Sequence, residues 1–426
     1  MKILNLILPV LLALHLFVPC DAKAESRFPH PEFDSEYSLP AVDNPEPDAS
    51  QGEYVDLAML ALALAVVTYL IHKKRSRKAI FWLMLVCLAY FGFWRKGCVC
   101  PIGSIQNVTA AASGADYTIS IFVLGFFALP IISALFHGRT FCSGVCPLGA
   151  IQDIVVLKPL KVPWPIARTL SVIPYIYLGL AVLLAWTGSA FIICQLDPFV
   201  SFFRLSGGMT MILIGVALLL IGIFIARPYC RFLCPYGVIL SWASAFSRKH
   251  LSITPAECIQ CRLCEDSCPF DAIRKPVPTE LPEDRDKAKK RLVLLIALIP
   301  VITIATGWLG SMLYGPISRL DNTVALAEQV YAENTGQTAE TTLRSDAFRQ
   351  TGEEPRQLYA RAEAIRGKIK TGGWFFGGFV GLAIGIGLVR YSIRRTRSDY
   401  EPDRADCLSC GRCFSYCPVE VPKPSV

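Results

Sequence analysis

The chain has 426 residues, of which 53% are hydrophobic and 18% charged, with 17 cysteines and a formal net charge of +8. A soluble domain carries roughly 25% charged residues, so an ordinary soluble enzyme is excluded. The cysteines are too many to be incidental and too sparse for a small disulfide scaffold. Membrane segments with thiol chemistry are the class to expect, and nothing in the charge pattern points to nucleic acid.

Lys2, the apolar stretch Ile3 to Val18 and the small-x-small triplet Ala22-Lys23-Ala24 form a secretory signal pattern over 1–24, with an uncleaved anchor as the alternative. Residues 25–54 are acidic and Pro-rich and read as an extended extracytoplasmic arm. Seven apolar stretches follow, at 55–72, 79–94, 117–136, 171–187, 207–226, 292–312 and 373–389. Each approaches the ~20 residues that a spanning helix needs.

Basic residues set the expected orientation. Lys73, Lys74, Arg75, Arg77 and Lys78 crowd the first turn-around, and Arg390, Arg394, Arg395, Arg397 and Arg404 follow the last span. Loops 95–116 and 188–206 carry few. The positive-inside rule then places the N-terminus outside and the C-terminus in the cytoplasm of a bacterial inner membrane. Gly373, Gly377, Gly381 and Gly385 repeat at spacing four, a stripe for close packing against another span. Loop 313–372 reads as a small extracytoplasmic helical unit, with helical runs near Val324–Asn334 and Pro355–Lys370. The expected divisions are a five-span core over 55–250, a first cysteine-rich half at 251–291 and a second at 390–426.

Two runs hold eight cysteines: Cys258, Cys261, Cys264 and Cys268-Pro269, then Cys407, Cys410, Cys413 and Cys417-Pro418. Their C-x2-C-x2-C-x3-C-P spacing is the bacterial ferredoxin pattern for [4Fe–4S] clusters. In two-cluster ferredoxins the fourth cysteine serves the other cluster. Cys258, Cys261 and Cys264 are therefore expected to share a cluster with Cys417, and Cys407, Cys410 and Cys413 with Cys268. The module is split by two spans, and its halves meet only if both lie on one side of the membrane.

Seven more cysteines follow a repeated pattern. Gly138-Arg139-Thr140-Phe141-Cys142-x3-Cys146-Pro147-Leu148-Gly149 aligns with Ala226-Arg227-Pro228-Tyr229-Cys230-x3-Cys234-Pro235-Tyr236-Gly237. Cys98-Val99-Cys100-Pro101-Ile102-Gly103 repeats the Cys-Pro-x-Gly end, and Cys194 stands before Asp197-Pro198. An internal duplication of a two-span unit is expected, with thiols at both faces. Spacing i, i+4 puts two thiols on one helix face. Cys142, Cys146, Cys230 and Cys234 offer four thiolates, the count for one further iron–sulfur cluster on the cytoplasmic side. Cys98, Cys100 and Cys194 offer three at the outer face, with Asp197 or water as a fourth ligand; a disulfide to Cys194 is the alternative. Cys87 is expected to pack within a span. No two histidines sit well within spans as a facing pair, and His72 and His137, at cytoplasmic span ends, are expected to be interfacial.

The paired Cys-x3-Cys-Pro motifs, the many spans and the terminal ferredoxin runs together resemble the NosR/NapH-type polyferredoxin membrane proteins, over about residues 55–426. The resemblance implies an all-α membrane protein of about seven transmembrane helices with a split 2[4Fe–4S] ferredoxin module. It implies electron transfer between a cytoplasmic donor or the quinone pool and a periplasmic flavoprotein, cytochrome or reductase. The chain departs from that pattern in two places. Residues 25–54 are too short for a periplasmic flavin domain, and one residue rather than three separates Cys98 from Cys100. The expectation is a transmembrane electron conduit. The alternatives are a quinol dehydrogenase subunit and a protein of redox sensing or metal-cofactor assembly.

Overall fold

The structure is a computed structural model. It describes residues 51–97, 100–114, 117–157, 159–204, 208–254, 258–277, 285–338, 340–393 and 397–419. The signal pattern, nearly all of the arm, Cys20 and Cys98 lie outside the described residues.

Helices dominate. Five are long and apolar enough to cross a membrane: Gly52–Lys74, Arg77–Trp94, Trp164–Trp186, Asp286–Met312 and Pro355–Arg390. The third and fifth expected spans form shorter apolar helices, Ile121–His137 and Met209–Phe224. At 1.5 Å per residue these reach about 24–26 Å, less than the ~30 Å hydrocarbon core. Their ends explain the shortfall. Gly138 closes the first at φ 76°. The second stops at extended Ile225, and Arg227 turns left-handed at φ 48° before Pro228. Each chain then re-enters the bundle as a short helix carrying the cysteine motif.

Three such half-length helices begin directly after a Cys: Pro101–Ala112, Pro147–Val155 and Pro235–Ala245. The expectation that i, i+4 thiols share one helix face is corrected here. Cys142 lies in the short helix Thr140–Gly144, whereas Cys146 is the extended residue that precedes the next helix. Cys230 and Cys234 are divided in the same way between Pro228–Phe232 and Pro235–Ala245. The cause is local: a proline disfavours the helical conformation at the residue before it and suits the first helical position itself.

Pro355–Ser392 runs through the division expected at 372/373 as one 38-residue helix. No proline interrupts it after Pro355, so the polar first half and the apolar second half continue as one rod. Its glycine stripe lies against Arg285–Met312. A Cβ at Gly377 would overlap the Thr306 carbonyl, and one at Gly373 would stand 2.6 Å from the Gly310 oxygen. The polar half of this helix joins Asn322–Asn334 and Leu343–Gln350 around Val324, Ala327, Val330, Phe348, Leu358 and Ala362, a separate small core.

At the opposite end the two cysteine-rich halves meet. Ile273–Arg274 pairs antiparallel with Glu401–Pro402, and Val277 bridges to Arg397. Arg274 joins Asp403 at 3.1 Å and Asp406 at 2.9 Å, and Arg390 reaches Asp403 as well. The module is tied to the bundle by Arg75 on the Ile253 carbonyl (2.5 Å), Arg77 on the Cys410 carbonyl (3.0 Å) and Ser241 on the Ala405 carbonyl (2.9 Å). Cys264, Cys268, Cys407, Cys410 and Cys413 belong to the same buried cluster as the apolar helices and Cys87.

Candidate iron–sulfur sites and their junction

Cys258, Cys261, Cys264 and Cys417 line one small cavity, closed by Ile253, Ile259 and Tyr400. Cys268 departs from its own run. Its thiol, raised chiefly by burial, feels the charge of Cys410. Cys413 in turn feels Cys407, Cys410 and Cys268. Burial pushes Cys407 up to about 12 against the Ser409 N–H, which donates to its sulfur at 3.4 Å. These elevations describe bare thiols; a bound metal's charge reverses the local balance and deprotonates them.

Cys142, Cys146, Cys230 and Cys234 form a second gathering deeper in the bundle. Burial leads in raising Cys146, followed by the charges of Cys230 and Cys142; Cys234 responds to Cys230, Cys146 and Cys142. Gln152, fully buried, donates to Cys230 Sγ at 3.3 Å and accepts the Tyr229 N–H at 3.0 Å. The Tyr236 hydroxyl donates to the Phe127 carbonyl at 2.7 Å. Phe127 is six residues into Ile121–His137, about 9 Å along it, so Cys234 starts its helix well inside the bundle.

Two arginines cross between the repeats. Arg227, fully buried, donates to the Cys142 carbonyl and lies over Gly149, where a Cβ would be 3.1 Å from its guanidinium. Arg139 lies over Gly237 at the corresponding 3.2 Å and donates to the Ala405 carbonyl of the ferredoxin module. Asp153 closes the junction. It pairs with Arg77 (2.6 Å), Arg227 (3.5 Å) and Arg412 (3.3 Å), and is itself almost wholly buried. Burial alone would raise its carboxyl; the three guanidiniums win and hold it well below the usual carboxylate range. The four-thiol set, Asp153 and the second ferredoxin run are thus one continuous polar seam.

The third gathering is Cys100 with Cys194. Cys194 Sγ lies 3.4 Å from where a Cβ on Gly103 would stand. Asp197, 3% exposed, accepts the Phe199 N–H at 3.0 Å, and burial pushes its carboxyl up to about 6. Cys100, pushed up to about 12 by burial, next feels Asp197 and, more weakly, Cys194. Cys146 also feels Cys100. Pro101–Ala112, expected as part of an outer loop, packs against Ile121–His137 and Ile173–Trp186.

His72 and His137 lie at the ends of their helices, and there their rings are 5.7 Å apart. His250 lies beside Gly138 and Ser409, with both ring nitrogens buried and unpartnered among the described residues. Residues from spans far apart in sequence converge there, which no local spacing encodes. Arg139, Arg227, Asp153, Gln152 and Gln106 likewise escaped the sequence reading. Their signal was present for the arginines, which the repeated motif carries three residues before the first cysteine in both copies.

Among the described residues no group of three or more His, Cys, Asp or Glu side chains is drawn tightly enough to hold a single metal ion. A cubane cluster interposes iron and sulfide between its ligands and sets them further apart. Thiol sets of this composition suit such clusters, and the buried amide donors beside Cys230 and Cys407 suit their sulfur ligands.

A 4Fe–4S binding domain family matches the chain twice, over 119–165 and 208–254, and a second 4Fe–4S binding domain family matches 251–274. These segments contain Cys142/Cys146, Cys230/Cys234 and the first ferredoxin run. The chain is 27% identical to the uncharacterized protein MJ0750 of Methanocaldococcus jannaschii, covering 42% of this chain and 77% of that one. It is 28% identical to YccM of Escherichia coli, whose name refers to electron transport, over 33% of this chain and 43% of the relative. It is 28% identical to the regulatory protein NosR of Pseudomonas aeruginosa over 44% of this chain and 28% of NosR. The chain therefore spans less than half the length of the latter two. No solved structure matches it. With five helices long and apolar enough to cross a membrane, repeated 4Fe–4S binding domain matches and these relatives, the chain resembles the NosR/NapH-type iron–sulfur membrane proteins.

Proposed function

We propose that the protein is a transmembrane electron conduit of a bacterial inner membrane, with its ferredoxin module in the cytoplasm and its partner, a flavoprotein, cytochrome or reductase, outside. The observation that carries this reading is the continuity of buried thiols. The ferredoxin thiols adjoin the Asp153 junction, the junction adjoins Cys142, Cys146, Cys230 and Cys234, and the helix that Cys100 precedes, Pro101–Ala112, packs against Pro235–Ala245, the helix that Cys234 precedes. Clusters bound to such thiolates supply one-electron storage. We assign Cys258, Cys261, Cys264 and Cys417 to one [4Fe–4S] cluster, Cys407, Cys410, Cys413 and Cys268 to another, and the four-thiol set to a third cluster.

The chain's own residues hold these sites in register. Arg227 and Arg139 clamp each repeat to the other, Asp153 balances their charge, and apolar helices keep water out. The internal duplication supplies the facing cysteine pairs, a common arrangement for sites at repeat interfaces. The orientation follows from the basic residues at 73–78 and 390–404.

The test is electron transfer across proteoliposomes, from an impermeant external reductant to trapped ferricyanide. Reduction of the trapped acceptor is expected. In the Cys142→Ser/Cys234→Ser double variant its rate should collapse to that of empty liposomes, with iron content lower by about four, one cluster's worth. Unchanged iron and rate would remove the intramembrane cluster from the path.

A second reading, a quinol dehydrogenase subunit, is favoured by the gathering of His72, His137 and His250 beside Ser409, between Cys407 and Cys410. Quinol oxidation needs a proton acceptor beside an electron acceptor. Reduction of the clusters by a short-chain quinol, abolished in His250→Gln, would select it.

A further inference from the structure

The region around Cys194 hides a third copy of the thiol motif. In each repeat a five-residue helix carries a cysteine at its third position: Cys142 in Thr140–Gly144 and Cys230 in Pro228–Phe232. An extended cysteine then precedes a proline that starts the next helix, with Cys146 at φ −67°, ψ 117° and Cys234 at φ −65°, ψ 112°. Ile192–Leu196 is also a five-residue helix with Cys194 third. The residue before Pro198 and its helix Pro198–Arg204 is Asp197, at φ −76°, ψ 108°. The linker is one residue shorter, so spacing alone conceals the match, and a carboxylate stands where the other copies have a thiol.

The partner half agrees. Cys100 precedes Pro101–Ala112 as Cys146 precedes Pro147–Val155. Six residues after each cysteine stands a fully buried glutamine that accepts the N–H of the residue before the facing cysteine. Gln152 takes the Tyr229 N–H, next to Cys230, and Gln106 takes the Ile193 N–H, next to Cys194, both at 3.0 Å. An additional polar group points to a ligand here. The Tyr229 hydroxyl is buried with no partner among the described residues, and its ring packs edge-on at 5.4 Å against Phe199, whose N–H donates to Asp197.

We propose that Cys100, Cys194 and Asp197 are ligands of a further iron–sulfur cluster, in which the Asp197 carboxylate holds the position that Cys234 holds in the four-thiol set. The proposal rests on the conduit reading for its role but not for its existence. Carboxylate ligation leaves one iron with a harder, more weakly bound donor than thiolate, a distinction that spectroscopy reads directly.

The experiment uses the full chain purified without oxygen in detergent, with iron and sulfide analysis and EPR during stepwise reduction. The ferredoxin signals report that each variant has folded. Cys100→Ser/Cys194→Ser is expected to lose about four irons, one cluster's worth, and one EPR signal. Asp197→Cys is expected to keep the iron but move that signal and its midpoint potential. Asp197→Ala, which leaves two of the three ligands, is expected to lower the iron content and to weaken or abolish that signal. Unchanged iron in the double cysteine variant, or a Cys100–Cys194 disulfide found by alkylation and mass spectrometry of the unreduced protein, overturns the site. Spectra unaltered in both Asp197 variants overturn the carboxylate ligand. Failed transfer in the liposomes with every signal present would instead break the conduit reading and leave this centre standing.

Discussion

The four-thiol set around Cys142 and the smaller set around Cys100 start from the same local plan. Both use a cysteine ahead of a proline-started helix, a glycine at the contact and a buried glutamine that fixes the facing cysteine. They differ in charge. The first is crossed by Arg139 and Arg227 and balanced by Asp153. In the second, Phe191 stands three residues before Cys194 where an arginine would be, and Asp197 stands in place of a thiol. A buried cation favours an added electron on its neighbour and a buried carboxylate disfavours it. One scaffold therefore presents two electrostatic environments.

Variants that touch one environment and spare the other break or sharpen this contrast. Asp153→Ala has the largest expected effect. It strips three guanidiniums of their partner, one of them fully buried, and should cost about 3–5 kcal/mol. Thermal unfolding in detergent, followed through cluster absorbance, would measure it, and the Cys100 set should lose its signal only with the whole fold. Gln152→Ala and Gln106→Ala come next. Each orphans a buried backbone N–H, so each should cost about 1–3 kcal/mol. Similar losses would support the common plan, and a cost at Gln152 alone would dissolve it.

Tyr236→Phe should cost about 1 kcal/mol through the bond to the Phe127 carbonyl, with the four-thiol signal broadened. The equivalent positions Leu148 and Ile102 are already apolar, so the effect should stay in one half-site. Arg361→Ala breaks the exposed pair with Glu353 in the remote helical unit. It should change stability by no more than about 1 kcal/mol and leave every EPR signal in place. A larger shift there would mean that the unit and the bundle unfold as one.

The apolar segments were legible because lipid-facing helices must be apolar along their whole length. Arg285–Met312 needs no tertiary partner to be recognised. The shorter third and fifth spans were less so. Periodicity does not register where Gly138 or Arg227 turns the chain back inward. The Cys-x3-Cys-Pro pairs were legible as paired thiols but misread as one helix face, because proline's effect on the preceding residue outweighs the helical spacing. The His72, His137 and His250 gathering was illegible, since its members lie 65 and 113 residues apart and meet only through packing.

The chain by itself determined the number and kind of thiols, the apolar lengths and the charge bias, because these are properties of composition and short spacing. The tertiary structure alone decided which thiols face which, that Arg227 caps the opposite repeat, and that Asp197 occupies a cysteine's place. Those outcomes depend on how half-length helices re-enter the bundle. Their re-entry is governed by burial of backbone and charge against distant partners, a cost that no short stretch of sequence carries within itself.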